Sequence, residues 1–163
     1  MNMEIIEISQ VNDCLAEMVA LFRVELRSYK GIVSKPNVDV GREEMDEYLS
    51  AGFPVFAAIV DGAYAGYVVC RVDSEVVWVE SIFVKEEYRR HGIATALHSK
   101  AEEIAAFYGE NTVYNYVHPN NHRMIDFLRK RGYTVLNLIE IRKPYEGEKL
   151  TQKVCVGEHE FDY

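Results

Sequence analysis

Apolar residues along this chain recur in two rhythms, one near two residues and one near 3.6, and the switches between them mark out the elements. Residues 3 to 9 alternate in part and predict a first strand. Asn12 or Asp13 then caps a helix carrying Leu15, Met18, Val19, Phe22, Leu26 and Tyr29, which Gly31 ends. A loop over 31 to 38, containing Lys35-Pro36-Asn37, leads into a short acidic helix, Arg42 to Leu49, with Met45, Tyr48 and Leu49 inward. Three strands follow: Phe53 to Val60, Tyr64 to Val72 and Val76 to Val84. Asp61-Gly62 is a two-residue hairpin signal between the first two, and Asp73-Ser74 turns the chain into the third. Ile93, Leu97, Ala101, Ile104 and Tyr108 then keep helical spacing up to Gly109. Thr112 to Val117 predicts a fifth strand, and a helix begins at Asn121 and stops at Gly132. Tyr133 to Arg142 and Val154 to Phe161 read as a closing pair of strands around the polar stretch 143 to 153. This order makes a mixed α/β layer rather than a doubly wound parallel sheet.

The densest chemistry lies where the third of those consecutive strands hands over to the longest helix, at Arg89-Arg90-His91-Gly92-Ile93-Ala94. A helix leaves its first N–H groups unpaired and carries partial positive charge at that end, so an anion there gains hydrogen bonds and a favourable field together. Gly92 has no Cβ and Ala94 only a methyl, so a pyrophosphate could rest directly on the main chain, with Arg89, Arg90 and His91 adding charge at the rim. Neither Gly-x-x-x-x-Gly-Lys-Ser/Thr nor Gly-x-Gly-x-x-Gly occurs in the chain. The turn resembles the Arg/Gln-x-x-Gly-x-Gly/Ala signature of the GNAT acyltransferase superfamily.

Asn121, Met124, Phe127, Gly132 and Tyr133 resemble the second signature of that family, which also has a tyrosine where this chain has Leu128. The element order is similar to the GNAT fold too, a splayed central mixed sheet flanked by helices, over nearly the whole of residues 1–163 as one domain. In that fold the strand before the turn and the strand after the long helix run parallel and part, opening a cleft for acyl-CoA. The resemblance implies acetyl-CoA as cosubstrate, held along Ile82, Phe83 and Val84, with the main chain of Ile82 and Val84 pairing with pantetheine. It implies amides of residues 90 to 94, Ile93 and Ala94 included, on the pyrophosphate, and Asn121 against the pantetheine arm. Asn121 also reads as a plain helix cap, and the two roles are compatible.

Acetyl transfer to an amine needs that amine unprotonated, whereas an amine of pKa about 10.4 is neutral only about one part in a thousand near pH 7. Glu80, in the apolar strand four residues before Val84, is the first candidate base, and the resemblance points the same way, since some GNAT enzymes place a glutamate base on this strand. Its alternative is an outward-facing or cation-paired surface carboxylate. With Leu128 at the tyrosine position, Tyr116, Tyr133 or His118 could serve the departing thiolate, and spacing does not choose among them. A catalytically weak acyl-CoA-binding or sensing module is the alternative that Leu128 would permit.

Composition narrows the partners. A net charge of -8 disfavours nucleic acid as the main ligand, and no apolar run approaches a membrane span. The N-terminus lacks the basic and apolar regions of a signal peptide, so a cytoplasmic location is expected. Cys14, Cys70 and Cys155 are too few and too scattered for a disulfide framework or a metal site, and read as buried small apolar residues. No His, Asp and Glu spacing suggests a metal. Glu43, Glu44, Asp46 and Glu47 are compatible with a polyamine, aminoglycoside or peptide amine as acceptor, or simply with a solvated helix face. A homodimer is common in the family.

Overall fold

In the computed structural model, which describes residues 1–163, the chain forms two compact units, Met1–Phe127 and Leu128–Tyr163. The first holds a five-stranded sheet in sequential order, β1 (Met3–Glu7), β2 (Val55–Val60), β3 (Ala63–Asp73), β4 (Val76–Val84) and β5 (Tyr114–Asn115). Neighbours from β1 to β4 are antiparallel, and β4 to β5 is parallel. Helices α1 (Asp13–Ser28), α2 (Val38–Ser50) and α3 (Ile93–Phe107) lie against it. The helix α4 (His122–Lys130) begins in this unit.

Side-chain alternation assigns the faces. Val55, Ala57, Tyr67, Val69 and Phe83 form one core with Leu15, Met18 and Val19 of α1 and Met45 of α2. The intervening Gly66 faces α3, where an added Cβ would come within 3.2 Å of Leu97. β3 is therefore buried on both faces, as its unbroken apolar run from Ala65 to Cys70 requires. Tyr67 is buried on the α1 side with its hydroxyl 2.8 Å from that of Ser81, each satisfying the other.

Caps set the helix starts. Asn12 accepts the Leu15 N–H, Asn37 the Val40 N–H and Asn121 the Met124 N–H. The cap at Asn37 corrects the expectation of a loop over 31 to 38 and a helix starting at Arg42: α2 begins at Val38, directly after it. Asp61 and Gly62, with φ of 48° and 84°, form the predicted hairpin turn, and Ser74 and Glu75 form the second at φ of 49° and 72°.

The fifth strand is two residues long instead of the six expected, since β5 meets β4 only at Trp78↔Tyr114 and Val79↔Asn115. In the second unit the expected closing pair is replaced by a small hairpin, β6 (Lys153–Val156) and β7 (His159–Asp162), turned at Gly157 with φ 61°. That glycine divides the predicted Val154–Phe161 strand into two arms that satisfy each other. Tyr133 to Arg142 forms no strand. Val135, Leu136, Leu138 and Ile141 are exposed there. Of the cysteines only Cys70 is buried, where desolvation pushes its thiol up to about 12, while Cys14 and Cys155 are exposed against expectation. No helix is long and apolar enough to cross a membrane, and no group of His, Cys, Asp and Glu could hold a metal ion.

Candidate active site

The start of α3 differs from the other three helix starts. Its cap is Gly92, left-handed at φ 79°, with no side chain to accept the first amides and no acidic residue in the first turn. Arg90, two residues earlier, is also left-handed at φ 65°. Alternating left-handed residues curl a chain into a concave run of N–H groups, the form that receives anions. Nothing lies within 4 Å of where a Gly92 Cβ would stand, so the approach to Ile93 and Ala94 is open. Arg90, His91 and Gly92 are exposed, and the His91 ring lies 3.3 Å from the Tyr88 carbonyl. The residues present fit a diphosphate.

Arg89 is placed differently from its two neighbours. Its Nε donates to the Val84 carbonyl at 2.8 Å and its Nη2 pairs with Glu25 of α1, which also holds Arg123 at 3.1 Å. Its guanidinium clips the turn to the end of β4 instead of standing at the rim.

The edge of β4 is a second candidate binding element. Lys85 N–H bonds the Ala65 carbonyl at 2.9 Å, so by antiparallel alternation Phe83 turns its main chain to β3 while Ile82 and Val84 turn theirs to the opposite edge. Beyond Val79 that edge carries no strand. The Ile82 groups and the Val84 N–H are thus available to an extended ligand, while Arg89 takes the Val84 carbonyl. Phe83 instead points its ring into the core, 5.9 Å from Phe22 and 6.4 Å from Tyr67.

Glu80 sits where the sheet departs from regularity. Ser81 pairs with Val69 and Val79 with Cys70, which leaves Glu80 as the extra residue of a β-bulge. The bulge keeps its side chain on the α1 and α2 side, with Arg71 Nε 3.1 Å from its Oε2. Both side chains are about 30% exposed, at 30% and 29%. A second ion pair, Arg23 with Glu44, lies on the same side, and Glu44 accepts the Tyr48 hydroxyl at 2.6 Å. Burial first, and then the hydrogen bond and charge of Glu44, raise the Tyr48 phenol well above its usual range, with Glu80 contributing. Tyr67 is raised likewise by burial, so neither phenol is a ready proton donor.

Among the residues named from sequence as aids to the leaving group, Tyr116 is exposed and lies under the Arg71 guanidinium, 5.9 Å from ring centroid to Cζ. His118 accepts the Asn120 N–H on Nδ1 at 3.1 Å and stacks on Tyr29. Its pKa is lowered by partial burial and by Lys30. Leu128 is buried and has no proton to give. Asn121 spends its Oδ1 on capping α4. Tyr133, in the second unit, has its N–H on the Leu128 carbonyl.

Three residues paired within this region were not singled out from sequence: Arg71, Glu25 and His98. His98 is fully buried on α3, with Nε2 3.2 Å from Asn115 Oδ1. Its place beside Leu97 on the apolar stripe was a signal; the pairings of Arg71 and Glu25 cross strands and helices and left none.

A family model described as the acetyltransferase (GNAT) family matches residues 18–133. Solved structures of similar fold include the aminoglycoside acetyltransferase AAC(6')-Iy in complex with a bisubstrate analogue, CoA-S-monomethyl-acetylneamine, at 20% identity and TM-score 0.61 over 89% of this chain and 100% of that one. The aminoglycoside 6'-N-acetyltransferase AAC(6')-Ih from Acinetobacter baumannii matches at 22% identity and TM-score 0.62, over 88% and 99%. The PaiA N-acetyltransferase from Thermoplasma acidophilum, in complex with coenzyme A, matches at 19% and 0.65, over 80% and 89%. A search of the curated proteins finds no match.

Proposed function

Because the chain belongs to the acetyltransferase (GNAT) family and is an acyltransferase with acetyl-CoA as cosubstrate, we propose that it acetylates a primary amine of a small-molecule acceptor by direct attack in a ternary complex. The observation that carries this reading is the pairing of an uncapped α3 start with an open β4 edge, two binding elements that meet at Val84 to Ile93.

In this reading the amides from Arg90 to Ala94 hold the diphosphate, and Ile82 with the Val84 N–H aligns the pantetheine arm. Acetyl-CoA supplies an activated carbonyl. Glu80, on the neighbouring bulge, takes a proton from the acceptor ammonium, the freed nitrogen forms the C–N bond, the C–S bond breaks to release thiolate, and the second proton lost by the nitrogen passes through solvent to that thiolate. A thiol of pKa about 8.5 leaves tolerably near neutral pH, so the absence of a tyrosine at Leu128 slows the step without forbidding it. Glu44, paired with Arg23, and Glu80, paired with Arg71, are carboxylates on the α2 side that an acceptor ammonium can approach. Polyamines and aminoglycosides, the latter appearing in the names of two of the structures of similar fold, are the first to try.

Thiol release from acetyl-CoA, measured over a panel of polyamines, aminoglycosides and peptide amines, tests the proposal. Turnover on at least one, with a Glu80→Gln variant reduced in kcat about 10²–10⁴-fold, is expected. Tight acetyl-CoA binding without turnover on any amine would instead establish a binding module.

A further inference from the structure

Where β4 and β5 part, one side chain joins three strands. Arg71 of β3 lies with its guanidinium carbon 4.5 Å from the centre of the Trp78 ring on β4 and 5.9 Å from that of Tyr116, one residue past the end of β5. Trp78 in turn packs on Tyr114 at 5.5 Å, across the first of the two ladder pairs. A guanidinium over two ring faces gains cation–π attraction and loses rotational freedom. Arg71 Nε then stands 3.1 Å from Glu80 Oε2. The two atoms are buried, yet out of line for a hydrogen bond. Charge and ring contacts, not a directed N–H···O bond, hold the pair together.

Glu80 needs such a hold because it is the extra residue of the bulge, and a bulged residue has no directly opposed partner to fix its side chain. A base acts only when its carboxylate stands within hydrogen-bond reach of the proton it takes, and small misplacement is expensive.

We propose that Arg71 is a positioning residue for acetyl transfer: clamped by Trp78 and Tyr116, it fixes the Oε2 side of the Glu80 carboxylate so that Oε1 is presented to the acceptor amine. The inference rests on Glu80 being the base. Arg71 does not touch acceptor or acetyl-CoA. Lysine cannot replace it, because an ammonium lacks the planar face that lies on the rings.

The test is a set of four variants, Arg71→Met, Arg71→Lys, Glu80→Gln and the Arg71→Met/Glu80→Gln double, each measured for kcat, acceptor KM, acetyl-CoA affinity and Tm on the best amine of the panel. Arg71→Met is expected to lower kcat about 10- to 100-fold with acetyl-CoA affinity unchanged, Arg71→Lys to recover little, and Arg71→Met to add nothing in the Glu80→Gln background. An equal fall of kcat in both backgrounds, or a wild-type kcat in Arg71→Met, would overturn the positioning role. A wild-type kcat in Glu80→Gln would remove the base and overturn the positioning role with it, whereas a reduced kcat in Glu80→Gln beside a wild-type kcat in Arg71→Met would overturn the role of Arg71 alone. A loss confined to Tm or to acetyl-CoA affinity would make Arg71 structural only and overturn the proposal.

Discussion

Gly92 concentrates the argument at the scale of single residues. At φ 79° it occupies backbone space that an alanine enters at a cost of about 1–2 kcal/mol, but its missing Cβ points into open space, so Gly92→Ala meets no clash in the free protein. The methyl would stand beside the amides proposed to receive the diphosphate. Gly92→Ala is expected to keep the fold with a modest loss of Tm and to weaken acetyl-CoA binding about tenfold or more, measured by calorimetric titration; unchanged affinity would mean that the diphosphate lies elsewhere. The left-handed turn at Gly92 was legible in the sequence because a glycine after a cationic run, just before a helical stripe, marks a helix start. Arg89 was legible only in part. Its charge suggested the rim, but Glu25 lies 64 positions away and no local pattern foretells that pair. Glu80 was named as a candidate by type and neighbourhood, whereas its bulge, set by the register of Val69 and Cys70 against Ser81 and Val79, could not be read from either strand alone.

Elements whose ends are chemically marked were legible, and those whose extent depends on a partner were not. Asparagine caps at Asn12 and Asn121 and the turn at Asp61-Gly62 fixed boundaries through local hydrogen bonds and left-handed φ. β5, by contrast, is short because it leaves β4 after two residues, a property of the pair. Tyr133 to Arg142 carries strand-forming residues and yet pairs in no ladder, a property of the partner and not of the segment. The early start of α2 has a further consequence at Gly41, which brings α2 close to α1. A Cβ at Gly41 would lie 2.2 Å from the Ala16 carbonyl oxygen and 3.0 Å from the Ala20 nitrogen, both backbone atoms that cannot swing aside. Gly41→Ala is therefore expected to destabilise the protein by about 1–3 kcal/mol through forced separation of the two helices. Denaturant unfolding measures this directly, and a wild-type midpoint would show that the helices can part freely. Because the Arg23–Glu44 pair also spans them, the same variant should raise the acceptor KM.

For the molecule as a whole, the acidic balance of -8 says little about where pH acts, since stability follows the few groups whose proton affinity changes on folding. His118 is such a group. Partial burial, assisted by Lys30, lowers its pKa below the ordinary 6.5, and its Nδ1 accepts the Asn120 N–H, a bond that only the neutral ring can make. The sign follows directly. Between the lowered folded value and 6.5 the unfolded chain binds more protons, so stability rises with pH through that window. The contribution is fully present above about 6.5 and is lost as pH falls through the folded value. His118→Gln, which cannot take up the proton, should flatten this dependence, so the fall in Tm between pH 7 and pH 5 is expected to be steeper in the wild type than in the variant. Parallel curves would show that protonation of His118 does not open the loop joining β5 to α4. The same loop carries the Asn120 amide that donates to the Tyr29 carbonyl at 2.9 Å, at the C-terminal end of α1. Acid loosening at His118 is therefore expected to reach α1, and through Glu25 its grip on Arg89, so that acetyl-CoA affinity weakens below about pH 6.5 in the wild type and less so in His118→Gln.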